Sequence, residues 1–148
     1  MVKNSECIFC KIANKEIPAK MIAENDYAVA FLDADPVTDG HTLIIPKLHC
    51  ENFSTCNDKY MVGVSLLAKE IAKKLILSPL KPWGFNFLSN EQSIAGQEVK
   101  HFHLHVIPKY EKGIGFNIGK VQNIVKPKNI RNINETFDIL KKSKYIIE

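Results

Sequence analysis

The sequence predicts an α+β domain: about five short strands in mainly antiparallel order, one long helix, and shorter helices near each end. Three observations carry this. Apolar residues repeat at the helical period across residues 59–77. Several short runs alternate apolar with polar residues between turn-forming Asn, Asp, Gly and Pro. Among them is His101-Phe-His-Leu-His105-Val-Ile-Pro108, three of the chain's five histidines at every second position. Alternation of period two is the mark of a strand with one distinctive face.

The elements follow in order. Ser5 is placed to cap a short helix carrying Cys7, Ile8 and Ile12 and ending near Asn14. Ile17-Pro18 breaks it. Residues 20–24 and 27–33, joined by Asn25-Asp26, read as a hairpin in which Tyr27, Val29, Phe31 and Asp33 share a face. After a loop with Pro36 and Asp39-Gly40, residues 41–45 form a strand with His41, Leu43 and Ile45 on one side, stopped by Pro46. Asn57 or Asp58 caps the long helix, whose stripe is Tyr60, Val64, Leu67, Ile71 and Leu75. Residues 84–89 give another strand, 90–100 a polar loop, and the histidine run the next strand. Residues 111–128 hold Gly113, Gly115 and Gly119 and show no period. Asn134 caps a last helix reaching about Ile147, with Ile133, Phe137, Leu140 and Lys144 on one side.

At 148 residues, with 45% apolar and 24% charged residues, the chain reads as one globular domain spanning residues 1–148. No apolar run approaches a membrane span, and the first residues lack the apolar core of a signal peptide, so a cytoplasmic location is expected. The net charge of +4 gathers partly near the C-terminus without interleaved aromatics. That is the pattern of a solvated basic face, and no nucleic-acid partner is expected.

The chemistry lies with the histidines and cysteines. On a strand, the three imidazoles share a face at spacings of about 6.5–7 Å. The run is open to three readings: hydrogen-bonded surface rings, a metal site, or nucleophilic catalysis by one imidazole with neighbours setting its tautomer. The preceding loop, Ile94-Ala-Gly-Gln97, offers backbone amides and a close approach at Gly96. No acidic cluster suited to Mg²⁺, no phosphate-loop motif and no dinucleotide fingerprint occurs. Any phosphate is therefore met by imidazoles and amides. Cys7 and Cys10 form a C-x-x-C pair, redox-active or metal-binding, with no preceding strand of the kind a thioredoxin-like motif needs.

The run His101-Phe-His-Leu-His105-Val-Ile107, with Gly96-Gln97 shortly before it, resembles the signature of the histidine triad (HIT) superfamily. Cys7-Ile-Phe-Cys-Lys-Ile12, Glu16-Ile-Pro-Ala19, Ala30-Phe-Leu-Asp33 and Gly40-His-Thr-Leu-Ile-Ile-Pro-Lys47 with His49 resemble its nucleotide hydrolase and nucleotide-binding branch. The likeness runs from about Cys7 to Tyr110. It implies the HIT-like fold, with the sheet extended by homodimerisation through the long helix and the strand at 84–89. It implies a hydrolase cleaving purine nucleotide derivatives at the α-phosphate, such as nucleoside phosphoramidates or dinucleoside polyphosphates, through a nucleotidyl-histidine. His103 would be the nucleophile and His105 its phosphate-side partner, with His101 and His41 supporting them. Asn90 and Gln97 would contact phosphate, Asp33 the ribose, and Ile8, Phe9, Ile17 and Phe31 the base. No catalytic metal is required.

Relatives carrying this C-x-x-C use it with the histidine after Ile-Pro-Lys and the first triad histidine. The resemblance thus implies a structural Zn²⁺ on Cys7, Cys10, His49 and His101, with Cys50 and Cys56 as ordinary thiols. Glu98 stands where the family usually has Ser or Thr, and a carboxylate there repels phosphate unless it turns away or is protonated. A nucleotide-sensing module with incidental turnover, and a zinc-binding protein, are the competing functions.

Overall fold

The computed structural model describes residues 6–119 and 123–142. Chain order is α1 (Ile8–Ala13), β1 (Met21–Glu24), β2 (Ala28–Leu32), β3 (Thr42–Pro46), α2 (Asp58–Leu77), β4 (Gly84–Leu88), β5 (Leu104–Lys109), β6 (Gly115–Phe116), β7 (Ile124–Val125) and α3 (Ile133–Lys142). The first five strands form one sheet in the order β1-β2-β3-β5-β4, every pairing antiparallel. This is the α+β architecture the sequence predicts. Strand β5 is inserted between β3 and β4, so the histidine run leads into the sheet one strand in from its β4 edge.

Strand alternation divides the core in two. Ala28, Ala30, Leu32, Ile44 and Val106 face α2 and pack on Val64, Leu67, Ile71 and Leu75. Val29, Phe31, Leu43 and Ile45 face the other way and meet Phe9, Ile12 and Ala13 of α1. Leu43 pairs with His105 across the β3–β5 ladder. The second face therefore also carries the catalytic candidates.

Several boundaries differ from the sequence expectations. Helix α1 is capped by Cys7, whose sulfur accepts from Cys10 N–H at 3.4 Å, whereas Ser5 lies outside the described residues. Of the two candidate caps for α2, Asn57 serves, accepting from Lys59 N–H at 3.0 Å. For α3 the cap falls on Asn132 in place of Asn134: its side chain accepts from Asn134 N–H and its carbonyl from Thr136 N–H. Lys144 and Ile147 lie outside the described residues. The aperiodic glycine-rich stretch hides the small β6–β7 hairpin, whose two-residue strands are too short to show a pattern.

The histidine strand itself begins only at Leu104. The β3–β5 ladder pairs Thr42 with Val106, Leu43 with His105 and Ile44 with Leu104, then stops near Pro46. Proline has no N–H to continue it. His101 and His103 sit on an extended lead-in, where Phe102 N–H donates to Cys50 O at 2.7 Å and Ser89 Oγ donates to His103 O at 2.8 Å.

Gly63 lets α2 settle onto the β1–β2 turn. A Cβ there would stand 2.6 Å from Tyr27 Cβ, and its carbonyl accepts from Asn25 Nδ2 at 2.9 Å. Helix propensity alone makes Gly63→Ala stabilising by roughly 1 kcal/mol. Overpacking outweighs it, so the variant is expected to lose about 1–3 kcal/mol of unfolding free energy by denaturant titration; a gain would show that the contact yields freely.

Candidate active site and metal cluster

A cavity of about 930 Å³ opens on the α1 side of the sheet. Its wall includes Ile8, Phe9, Ile17 and Phe31, then Asp33, His41, Asn90, His103 and His105. Residues far apart in sequence are thus brought to one surface. Phe9 is central, edge-on to Phe31 at 5.7 Å and to His103 at 5.1 Å between ring centroids. His101 is fully buried and belongs to a neighbouring cluster. The imidazoles of His103 and His105 lie 5.1 Å apart, closer than a regular strand face implies, because His103 precedes the ladder.

The hydrogen bonds assign each ring its tautomer. His103 Nδ1 lies 2.8 Å from the carbonyl of His101. A carbonyl only accepts, so Nδ1 carries the proton and Nε2 keeps its lone pair. His101 Nε2 lies 3.0 Å from the carbonyl of Pro46, leaving Nδ1 as its lone-pair nitrogen. Val37 N–H donates to His41 Nδ1 at 3.0 Å, so His41 carries its proton on Nε2 and donates it to His105 Nδ1 at 2.9 Å. His105 then presents Nε2–H as a donor. Burial keeps these rings uncharged at neutral pH: it pushes His41 and His101 down to about 4 and His105 to about 3, and it lowers His103 as well. The site therefore offers one nucleophilic nitrogen beside one neutral donor.

Asp33 ends the β2 face at the cavity rim. Its Oδ1 accepts from Asp35 N–H at 2.9 Å, and its Oδ2 stands 3.6 Å from His41 Nε2, beyond hydrogen-bond length. Burial raises its pKa. Asn90 is held against Gly96, where a Cβ would lie 3.3 Å from Asn90 Nδ2 and φ is +98°. Only glycine suits that position. Gln97 is placed differently from the expectation. It is buried, its Oε1 accepts from Gln92 N–H at 2.8 Å, and its Nε2 donates to Glu51 O at 2.7 Å. Its amide braces the loop and is not part of the cavity wall. Exposed Glu98 does line the cavity. The wall also includes Ile124 and Lys126, which sequence patterning missed because the segment before α3 has no period, and Ile133, which the sequence placed only on the apolar side of α3.

Beside the cavity, donor atoms of Cys7, Cys10, His49 and His101 all lie within 4.8 Å of one another. Cys7 Sγ is 3.3 Å from His101 Nδ1, and Cys10 Sγ is 3.2 Å from His49 Nδ1 and 3.5 Å from His101 Nδ1. Ligands on a tetrahedral zinc stand about 3.5 Å apart for a sulfur–nitrogen pair with the usual bond lengths. The set fits that geometry, and the carbonyl of Pro46 turns the free nitrogen of His101 toward it. Cys50 stays out of the group; its free thiol makes a hydrogen bond with the Cys56 thiol, and burial pushes its pKa up. Asp33, His41 and His105 also converge, but that set suits a metal poorly. His41 Nε2 already bears a proton, and moving it to Nδ1 would set it against Val37 N–H.

The neutral pair has a consequence for stability. His41 is faced by Asp33, His105 and His103, with Asp35 raising and Lys126 lowering its pKa. Values near 4 and 3 in the folded chain, against about 6.5 when unfolded, mean that the unfolded state binds more protons below pH 6.5. The melting midpoint is expected to fall as pH drops from 7 to 5, and less steeply in His41→Gln; an equal slope in both proteins would refute the assignment.

A family model for the HIT domain matches residues 14–112. An uncharacterised HIT-like protein of Mycoplasma genitalium is 51% identical over 148 residues, covering 97% of this chain and 99% of the relative. The Saccharomyces cerevisiae adenosine 5′-monophosphoramidase HNT1 is 40% identical over 116 residues, covering 78% and 70%. The crystal structure of a Zn-bound histidine triad family protein from Mycobacterium smegmatis superposes with a TM-score of 0.75 at 31% identity, covering 92% of this chain and 91% of that one. Sequence and fold thus agree over most of the length, and the chain belongs to the HIT family.

Proposed function

We propose that this protein is a nucleotide hydrolase, cleaving purine nucleotide conjugates at the α-phosphate through a nucleotidyl-histidine, in a single domain. The observation that carries the reading is the bond from His103 Nδ1–H to the carbonyl of His101. It leaves a neutral, oriented Nε2 in the wall of a cavity with an aromatic and aliphatic end and a donor-rich end.

In the first step His103 Nε2 forms the N–P bond as the bond from phosphorus to the leaving group breaks. The bond at His103 Nδ1–H strengthens as the ring gains positive charge, which favours the transition state. His105 Nε2–H is placed to hydrogen-bond a phosphoryl or leaving-group oxygen or nitrogen, and His41 keeps that proton on Nε2. An amine leaving group departs with a proton donated from His105 Nε2–H, which the attacking water of the second step restores. Water then cleaves the N–P bond, releasing the nucleoside monophosphate and the free imidazole. Asp33 is proposed to bind the ribose hydroxyls, Asn90 the phosphate, and Ile8, Phe9, Ile17 and Phe31 to enclose the base. The yeast relative's phosphoramidase activity supports the reaction class.

The zinc reading rests on the fit of Cys7, Cys10, His49 and His101 and on the Zn-bound mycobacterial relative. A metal there would tie α1, and Phe9 with it, to the lead-in of the catalytic strand. Pairing of two copies along β4 is also proposed: β4 is a sheet edge, Trp83 and Phe87 are 90% and 51% exposed, and α2 exposes Val62, Leu66, Ile76 and Leu77. Among the described residues no helix is long and apolar enough to cross a membrane.

His103→Ala is expected to lower amine release from adenosine 5′-phosphoramidate by at least about three orders of magnitude with the circular dichroism spectrum retained; near-normal turnover would overturn the nucleophile assignment. Elemental analysis is expected to find about one zinc per purified chain, reduced in Cys10→Ser along with the melting midpoint. Metal-free protein of unchanged stability would remove the zinc reading.

A further inference from the structure

One side of the cavity lies beyond the region that the family model covers. That match ends at residue 112, yet Ile124, Lys126 and Ile133 line the wall. The segment bearing them is fastened across the rim by ion pairs. Lys126 Nζ binds Asp35 Oδ1. Arg131 donates to Asp39 twice, from its guanidinium to Oδ2 at 2.7 Å and from its backbone N–H to Oδ1 at 2.9 Å.

The charges of the wall are unusual for a site that receives phosphate. Among the described residues of the wall, Asp33, Asp35 and Glu98 are set against Lys20 and Lys126. Lys20 holds its ammonium 5.2 Å from the centre of the Phe137 ring. Lys126 is paired with a carboxylate that is 88% exposed, and is itself 46% exposed. An exposed pair of this kind is screened by solvent and contributes little, so separating it costs little. A lysine carries a compact charge on a flexible stem that can swing to a new anion. Contacts lead from it toward the histidines: Asp35 N–H donates to Asp33 at 2.9 Å, Asp33 stands 3.6 Å from His41, and His41 bonds His105 at 2.9 Å.

We propose that Lys126 selects nucleotide conjugates carrying negative charge beyond the α-phosphate, leaving Asp35 to bind that charge. The substrate class is nucleoside and dinucleoside polyphosphates, whose leaving group is a phosphate chain, as distinct from phosphoramidates, whose leaving group is an amine. Asp35 holds the cation at the rim in the free protein. Without the lysine, three carboxylates face an incoming polyanion, with Lys20 as the remaining lysine among the described residues of the wall. This rests on the nucleotide hydrolase reading.

The test compares kcat/KM for diadenosine triphosphate and adenosine 5′-phosphoramidate in the full chain, in Lys126→Met, and in Lys128→Met, which removes an exposed charge from the same segment outside the cavity wall. Loss of one charge-assisted contact is expected to lower the triphosphate-to-phosphoramidate ratio about tenfold in Lys126→Met, mainly through KM. Lys128→Met is expected to keep the wild-type ratio, and Lys126→Arg to restore most of it. An unchanged ratio in Lys126→Met, or an equal drop in Lys128→Met, overturns this inference while leaving the hydrolase reading intact. If the wild-type protein turns over neither substrate, the hydrolase reading fails and this inference fails with it.

Discussion

The arrangement depends on where backbone carbonyls put the protons of two imidazoles. His101 O holds His103 Nδ1–H, and Pro46 O holds His101 Nε2–H. The first bond leaves a lone pair for the cavity; the second leaves one for the cysteines. A neutral imidazole has one donor and one acceptor, so fixing either end fixes the other. Both carbonyls are available because the β3–β5 ladder stops near Pro46. Were the ladder continued past Leu104, these groups would compete with strand pairing. The end of the sheet and the start of the chemistry therefore share a cause.

The period-two alternation of the strands supplies the second constraint. One set of side chains packs on α2 and makes the larger core. The other set, with Phe9 and Ile12, forms both the smaller core and the floor of the cavity. Desolvation from this packing keeps His41, His101, His103 and His105 neutral, the form able to serve as nucleophile, donor or metal ligand. The helix that carries Phe9 is also the helix that carries Cys7 and Cys10. Position of the Cys/His cluster and shape of the Phe9 side of the cavity wall are thus coupled through α1.

Much of this was legible in the residues. The stripe of Val64, Leu67, Ile71 and Leu75 announced α2, and Val29, Phe31, Leu43 and Ile45 announced the face opposite it. Local chemistry was harder to read. A cysteine sulfur in place of Ser5 at the start of α1, and Asn132 in place of Asn134 at α3, reflect that several adjacent polar residues can each cap a helix and packing chooses among them. Gln97 sat in the expected loop, yet its amide is consumed by Gln92 and Glu51, partners that lie outside any motif. Lys126 had no signal at all, since it reaches the cavity by a long connection across the rim.

By itself the sequence determined the elements, their faces and the residue types available for chemistry, because hydrophobic period and histidine spacing are properties of the chain's local geometry. Tertiary structure decided how those residues divide the work. His101 turns to the cysteines and His103 to the cavity, and His41 orients His105 from 64 residues away. The physical reason is that a tautomer, a metal geometry and a cavity wall each require groups from separate strands at hydrogen-bond distance, and only the folded sheet brings those groups together.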